Sequence, residues 1–364
     1  ELLARISAFA DAPLVPGSTL VFIDEVQESK EVVTAIKFLV ERGDFDYVLS
    51  GSLLGVELND IRSWPVGYLS IVTMHPLDFE EFCWAVGTNA SVVNEARELV
   101  KRCQNIPDYL HDLLMGRFYD YLVIGGMPAA VDAFSSSRDV RQSHEILSQI
   151  INLYRADIAK YAGNRARAVR RIYDLVPAEL NSQTKRFMAK SIEGTPRMER
   201  YENDFLWTSD AGVTLPCYNV TEPRPPLLMN MEARKFKLFC SDVGMLSAMC
   251  GTETVRSLIA DRSDMNYGAV YENFVAQQLA AHGHRLFYFS NRSIGELDFL
   301  VEDGLSRVIP VEVKSGKTYK RHSALSRALS TPNYDIERAV VLRDGNCETD
   351  SKINYLPIYA ATFL

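Results

Sequence analysis

The chain has 364 residues, of which 47% are hydrophobic and 24% charged, and its net charge of −8 excludes a chain that coats nucleic acid along its length. No apolar run reaches the ~18 residues that a membrane-spanning helix needs, and the length predicts two or three domains. Six cysteines are scattered without a C-x-x-C pair. This pattern argues against a disulfide framework or a zinc site and favours the reducing cytoplasm.

The first predicted element is a strand at 20–23 that ends in two adjacent carboxylates, Asp24 and Glu25. Unbroken apolar runs of this length are typical of strands buried on both faces of a parallel sheet, and ligands bind at the C-terminal edge of such sheets. There, Asp24 can hold Mg²⁺ and Glu25 can polarise an attacking water, which is the Walker B arrangement of P-loop ATPases. The alternative is an acidic strand end that begins a loop or caps the next helix.

A βαβ unit is predicted next, because an amphipathic helix at 29–41 leads to a second strand that ends in Ser50, Gly51 and Ser52. A right-handed crossover places both serines on the sheet edge that carries the two carboxylates. A hydroxyl there can hold the attacking water or touch the γ-phosphate, which is the sensor 1 role. The plainer interpretation is a turn or helix N-cap serine.

The phosphate-binding motif G-x-x-x-x-G-K-[ST] does not occur in this sequence. In P-loop ATPases that motif precedes the Walker B strand, and the chain begins only a short way upstream, at Glu1. We therefore expect an N-terminal truncation that removes the phosphate-cradling amides and their lysine. The chain as given is expected to bind nucleotide poorly.

The remainder of the first domain, 1–85, is predicted to contain a short strand at 71–74 and a helix that begins within 75–82. The next segment, 86–162, is predicted to be a mostly helical lid. Gly125 and the residues after it, Gly-Met-Pro, break the helical pattern.

A winged-helix-like module is predicted for 163–255, because three short helices precede a β-hairpin. Between Arg155 and Arg200, eleven Lys/Arg oppose five Asp/Glu, so this segment is basic within an acidic chain. Its helices are candidates for contact with the phosphates of DNA or RNA. The alternatives are a solvated basic face and a docking surface for an acidic partner. The candidate contacts are Arg165, Arg167, Arg170 and Arg171.

The last domain, 265–364, shows a second pattern that carries chemistry. A predicted helix contains Glu272, and the strands after it contain Asp298 and then Glu312 and Lys314, which are two residues apart and share one face. A helix Glu, a strand Asp and a strand E-x-K form the pattern of PD-(D/E)XK nuclease folds. The alternative is a solvent-facing acidic–basic pair on an edge strand.

Phosphodiester hydrolysis explains why these residue types would occur together. Mg²⁺ prefers hard oxygen ligands, which Asp298, Glu312, Glu272 and the Val313 carbonyl can supply. Lys314 would orient or activate the water and offset charge on the phosphate. We expect a mixed sheet flanked by helices, with these side chains converging on one pocket. Nuclease folds also serve as binding or docking modules, so the pattern predicts the fold more strongly than cleavage.

Taken together, these motifs resemble bacterial and archaeal AAA-type ATPases that carry an uncharacterised C-terminal domain with a restriction-endonuclease-like fold. The similarity extends over essentially the whole chain, and the segments that carry it are 22–27, 49–52, 65–67, 75–82, 125–128, 154–158, 236–239, 242–244, 296–299 and 311–314.

The resemblance implies an α/β multidomain protein with a partial P-loop AAA-type parallel sheet, a helical lid, a winged-helix-like module and a restriction-endonuclease-like α/β domain. It implies ATP and Mg²⁺ as cofactors and allows oligomerisation through an arginine that reaches a neighbour's γ-phosphate. Many relatives have Gly-Arg where this chain has Gly67 and Tyr68, and Arg62 is the nearest substitute.

Two functions are compatible with this sequence. The first is an ATPase coupled to a nuclease-like domain that acts on nucleic acid. The second is a non-enzymatic nucleic-acid or protein adaptor, in which the ATPase half is regulatory or degenerate and the nuclease fold is an inactive docking domain.

Overall fold

The computed structural model of the chain divides into two compact units, Glu1–Met74 with Asp210–Gly212 and His75–Ser209 with Val213–Leu364. The first unit therefore ends before the predicted boundary at residue 85. The residues that the structure describes are 7–8, 10, 13–51, 67–193, 198–251, 268–304, 307–316 and 319–364.

The first unit contains the predicted βαβ arrangement. Strand β1 (Leu20–Ile23) pairs in parallel with β2 (Asp46–Leu49), and helix α1 (Lys30–Arg42) connects them. The helix buries one apolar stripe, which includes Val33 and Ile36, as its amphipathic pattern predicts.

Two expectations for this unit are wrong within the described residues. Strand β1 is not buried on both faces, because Leu20 and Phe22 are each 60% exposed while Val21 is buried. The strand predicted at 71–74 does not form, and Ile71 and Val72 are 78% and 79% exposed. Strand propensity produces a strand only where a neighbouring backbone completes the hydrogen-bond ladder, and no described strand pairs with this segment.

The second unit begins with the predicted helical segment. Asp78 caps its first helix by accepting a hydrogen bond from the backbone N–H of Glu81. The helix Asp108–Ile124 ends at Gly125, where the sequence predicted an interruption of the helical pattern. In the described parts of the chain, no helix is long and apolar enough to cross a membrane. The helices of this segment are α2 (Phe79–Ala85), α3 (Ala90–Lys101), α4 (Asp108–Ile124), α5 (Pro128–Ser137) and α6 (Val140–Tyr161).

The remaining helices and strands all lie in this unit, except that Asp210, the last residue of one helix, groups with the first unit. The helices are α7 (Ala166–Leu180), α8 (Lys190–Glu193), α9 (Glu202–Asp210), α10 (Val243–Cys250), α11 (Gly268–Ala281) and α12 (Ser323–Leu329). The strands are β3 (Thr214–Val220), β4 (Met231–Cys240), β5 (Phe287–Asn291), β6 (Gly295–Glu302), β7 (Val308–Val313), β8 (Ala339–Arg343), β9 (Glu348–Asp350) and β10 (Ile353–Pro357).

These strands form one mixed sheet in the order β4-β3-β5-β6-β7-β8-β10-β9. Strands β5, β6 and β7 are antiparallel neighbours, whereas β7 and β8 are parallel and are connected through α12. This topology confirms the mixed sheet expected for the last domain.

The predicted winged-helix-like hairpin is not a separate module, because β3 also pairs in parallel with β5, with Tyr218 opposite Phe287. The predicted boundary between 163–255 and 265–364 therefore does not separate two sheets, and the predicted lid belongs to the same compact unit. The physical reason is that the hairpin completes its hydrogen bonds against a strand about 70 residues later in the chain.

A buried aspartate fixes helix α11 in this unit. Asp242 Oδ2 accepts hydrogen bonds from the Gly126 backbone N–H at 2.6 Å and from Gln277 Nε2 of α11 at 3.2 Å. A Cβ at Gly125 would overlap the same carboxylate, and one at Gly126 would overlap the carbonyl oxygen of Leu77. The Gly-Gly and Asp-Val-Gly motifs therefore set the position of the helix that carries Glu272.

Candidate functional site

The first candidate site lies where β1 and β2 end, at the predicted nucleotide edge. Ser50 Oγ donates a hydrogen bond to Asp24 Oδ1, so the structure confirms that these two side chains meet. The backbone holds them together, because Ser50 N–H donates to the carbonyl of Ile23 at 2.9 Å and Val26 N–H donates to the carbonyl of Ser50 at 3.0 Å.

Glu25 follows in a left-handed backbone conformation with φ of 48°. For a residue other than glycine this conformation costs on the order of 1 kcal/mol, and such strain is concentrated at functional sites. Asp24 and Glu25 are both exposed, so they present hard oxygen donors of the kind that hold hydrated Mg²⁺. Two residues predicted to act here, Ser52 and Arg62, lie outside the described residues.

Tyr68, which follows Gly67 in the first unit, contacts helix α1. Its hydroxyl donates a hydrogen bond to Glu41 Oε1 at 2.7 Å, and Lys37 Nζ lies 5.4 Å from its ring centroid. The residue therefore packs within its own unit.

The second candidate site confirms the predicted convergence in the C-terminal sheet. The carboxyl groups of Asp298 on β6 and Glu312 on β7 are close enough that each influences the ionisation of the other. Asp298 Oδ2 also accepts from the Val313 backbone N–H at 2.9 Å, and Lys314 Nζ lies 3.1 Å from Glu312 Oε2. The side chains are thus on one face, as strand periodicity predicts.

Two further lysines, neither of them predicted from the sequence, complete this site. Lys237 on β4 is fully buried, and its Nζ lies 2.7 Å from Glu296 Oε1 and 3.5 Å from Glu272 Oε2. Lys185, from the segment before α8, pairs with the other oxygen of Glu272. We refer to the whole group as the carboxylate–lysine cluster, and its members are Lys185, Lys237, Glu272, Glu296, Asp298, Glu312 and Lys314.

The sequence contained signals for two of the missed residues. Lys237 is the charged residue within an otherwise apolar strand core, Phe-Lys-Leu-Phe-Cys, and such a lysine requires a buried partner. Glu296 lies two residues before Asp298 on the same strand and therefore shares its face. Lys185 lies in a loop and gives no such signal.

Burial and neighbouring charges separate the protonation states of the cluster. Burial, followed by the charge of Asp298, raises the pKa of Glu312 to about 8. Burial also acts to raise the pKa of Asp298, but the ammonium groups of Lys237, Lys185 and Lys314 outweigh it and lower that pKa. At neutral pH the Glu312 carboxyl group is therefore mostly protonated, whereas Asp298 is ionised.

Lys237 remains an ammonium ion in this setting. Burial acts to lower its pKa, but the carboxylates of Glu272, Glu296 and Asp298 raise it well above the usual range. Burial also raises the pKa of Glu272, against the opposing charges of Lys237 and Lys185. If Glu272 is counted as ionised and Glu312 as protonated, the formal charges of the cluster are three carboxylates and three ammonium groups, which balance.

These residues do not fit a divalent metal ion in their present arrangement. Among the described residues, no group of three or more His, Cys, Asp or Glu side chains could hold a metal. In the cluster, Glu272 Oε1 pairs with Lys185 and its Oε2 lies 3.5 Å from Lys237 Nζ without a hydrogen bond, Asp298 Oδ2 accepts from the Val313 N–H, and Glu312 Oε2 accepts from Lys314. The metal role of these three carboxylates and the catalytic role of Lys314 stay predictions.

The basic segment is partly used by the fold. Arg165 Nε donates to Asp204 Oδ1 at 2.9 Å, and the Asp204 side chain is buried, so this ion pair gives Arg165 a structural role. Arg171 Nε donates to the Ser191 carbonyl at 3.3 Å.

A shallow groove of about 550 Å³ remains at the N-terminal half of α7. Arg167, Arg170 and Arg171 line it together with Asp174, whose Oδ2 lies 3.7 Å from Arg170 Nε. Arg167 is exposed. The structure thus brings three of the predicted nucleic-acid contacts together and assigns the fourth, Arg165, to packing.

Three family models match successive parts of the chain. An AAA domain matches residues 2–83, a domain of unknown function, DUF8612, matches 115–256, and a second domain of unknown function, DUF4143, matches 267–361. The comparisons with curated proteins and with solved structures gave no match. The N-terminal unit is therefore similar to AAA-type ATPase domains, and the carboxylate–lysine cluster draws its residues from both segments of unknown function.

Proposed function

We propose that the N-terminal unit supplies the hydrolytic edge of an ATPase site. Asp24 holds Mg²⁺, Glu25 accepts a proton from the attacking water, and Ser50 contacts the γ-phosphate or its water. The observation that carries this proposal is the hydrogen bond between Ser50 and Asp24 where two parallel strands end. The similarity of residues 2–83 to AAA domains supports it.

The chemistry at this edge follows from what each side chain can do. Mg²⁺, when bound with ATP, neutralises charge on the phosphate oxygens. The Ser50 hydroxyl fixes the orientation of the Asp24 carboxylate, which leaves the second oxygen for the hydration shell of the ion. Glu25 lies one residue further, at the turn, and serves as general base.

The test measures ATP hydrolysis by the full-length gene product with Glu25→Gln. Loss of a positioned general base lowers the rate by about 10²–10⁴-fold. Glu28→Gln, on the same turn, is the matched control and should leave the rate near that of the natural protein. Equal rates for Glu25→Gln and the natural protein would show that Glu25 is not the base.

The second proposal concerns the C-terminal domain, which we propose is a docking module of nuclease-like fold that does not cleave. Its order of helix, three antiparallel strands, helix and parallel strand supports the fold. The contacts of Glu272, Asp298 and Glu312 with lysines or a backbone N–H favour docking over hydrolysis. Nucleic acid is the favoured partner, because the exposed arginine groove on α7 belongs to the same compact unit as this domain.

Nucleic-acid binding is tested with the pair Arg167→Glu and Arg170→Glu, because reversal of Arg165 would disturb the fold. The natural protein should bind single- or double-stranded DNA or RNA with a log–log salt slope of about 0.7–0.9 per phosphate contacted. The double variant should lose that affinity, whereas Arg292→Glu, in the exposed β5–β6 turn, should keep it. Binding that survives the double reversal assigns the interface to another surface.

A further inference from the structure

We infer that Lys237 is the resident cation of the carboxylate–lysine cluster and that it excludes divalent metal ions from the place where a nuclease of this fold would hold Mg²⁺. The inference rests on the docking role proposed for the C-terminal domain and explains why that domain would not cleave. It is independent of the ATPase proposal, whose residues lie in the other unit.

The position of the Lys237 ammonium group is the first argument. It lies 2.7 Å from Glu296 Oε1 on β6 and 3.5 Å from Glu272 Oε2 on α11. It therefore bridges the two elements that would supply metal ligands. Mg²⁺ requires about six oxygen ligands at roughly 2.0–2.1 Å in near-octahedral geometry. An ammonium group in this position fills the space that the ion would need and neutralises the carboxylates that would bind it.

The burial of Lys237 is the second argument. Its side chain has 0% exposure, whereas those of Lys185 and Lys314 are 25% and 27% exposed. The two partly exposed lysines can turn towards water when another cation approaches. Lys237 extends from the interior of strand β4 and has no such exit, so its displacement would leave an ammonium ion buried without partners.

The carboxylates that would bind a metal ion already contact other groups of the protein. Glu272 Oε1 pairs with Lys185, so both oxygens of this carboxylate face ammonium groups. Asp298 Oδ2 accepts a hydrogen bond from the Val313 backbone N–H, and Glu312 Oε2 accepts one from Lys314. A divalent ion would therefore have to replace several contacts at once and would gain little charge compensation in return.

The experiment compares Mn²⁺ binding by the natural protein and by Lys237→Met, in nucleotide-free buffer, using the electron paramagnetic resonance signal of Mn²⁺ and thermal melting. We expect the natural protein to melt at the same temperature in EDTA and in Mn²⁺. Removal of one partner from a buried ion group should lower the melting temperature in EDTA by on the order of 10 °C. Mn²⁺ should restore most of this loss in Lys237→Met, with one additional ion bound per chain.

Two further variants serve as controls. Lys185→Met removes a partly exposed ammonium group and leaves Lys237 in place, so it should gain no Mn²⁺ site. Lys237→Met combined with Glu272→Gln restores the charge balance without a lysine and should melt higher than Lys237→Met in EDTA, with no further gain from Mn²⁺.

Three results would overturn the inference. The first is a Mn²⁺ ion that the natural protein binds and the Glu272→Gln variant does not. This comparison also tests the inference if Lys237→Met does not fold. The second is a folded Lys237→Met that binds no additional ion. The third is Mn²⁺-dependent cleavage of nucleic acid by the natural protein that Asp298→Asn abolishes. None of these depends on ATP hydrolysis, so failure of the ATPase proposal would be recognised separately.

Discussion

The protonated carboxyl of Glu312 predicts an unusual dependence of stability on pH. Burial and the Asp298 charge raise its pKa from an ordinary 4.5 to about 8. Between these two values the folded protein holds a proton that the unfolded chain has lost. The stabilising contribution of the group is therefore fully present below about pH 4.5 and is lost as the pH rises towards 8.

The perturbation that tests this is Glu312→Gln. The amide group keeps a hydrogen-bond donor for Asp298 and an oxygen for Lys314, but it cannot ionise. Each pH unit in the window corresponds to at most about 1.4 kcal/mol for one proton. We therefore consider the free energy of unfolding of the variant minus that of the natural protein. This difference should be larger at pH 7.5 than at pH 5 by up to about 3 kcal/mol.

The assay is urea unfolding followed by circular dichroism at half-unit steps from pH 5 to pH 7.5. Glu337→Gln, which changes an exposed carboxylate of the same unit, is the control and should follow the natural protein. If the stabilities of Glu312→Gln and the natural protein change in parallel across this range, Glu312 is ionised in the fold and the charge balance of the cluster is different from the one described.

Three further outcomes follow from the contacts. Arg165→Met should lower the free energy of unfolding by about 2–4 kcal/mol in urea titrations, because it leaves a buried carboxylate without its guanidinium, and adding Asp204→Asn should recover part of that loss. Gly126→Ala should lower the free energy of unfolding by about 1–3 kcal/mol or more, because the new Cβ overlaps a backbone carbonyl. Gly116→Ala, in a helix with open space around the residue, should raise it by up to about 1 kcal/mol, and calorimetric melting distinguishes the two. Ser50→Ala should slow ATP hydrolysis by the full-length gene product about tenfold through loss of one hydrogen bond, and an unchanged rate would remove the serine from the site.

The nucleotide edge was predictable from the sequence because its parts are close along the chain. An apolar run, an amphipathic helix and a second run form a βαβ unit whose handedness is fixed, so Asp24 and Ser50 had to meet at one edge. The shared face of Glu312 and Lys314 follows from the two-residue period of a strand in the same way. Each of these conclusions depends on backbone geometry alone.

Only the tertiary structure decided which cations from distant segments join this site. Lys237 reaches Glu272 and Glu296 from β4, because β3 pairs with β5 and carries the hairpin into the sheet. Lys185 reaches Glu272 from a segment more than 80 residues earlier in the chain. The segment at 71–74 had strand propensity but no described strand as a partner. Periodicity is a local property of the chain, whereas the pairing of distant segments is set by packing and by the need to satisfy buried charges. The sequence therefore determined Glu272, Asp298, Glu312 and Lys314 of the second site, and the tertiary structure brought Lys185, Lys237 and Glu296 to them.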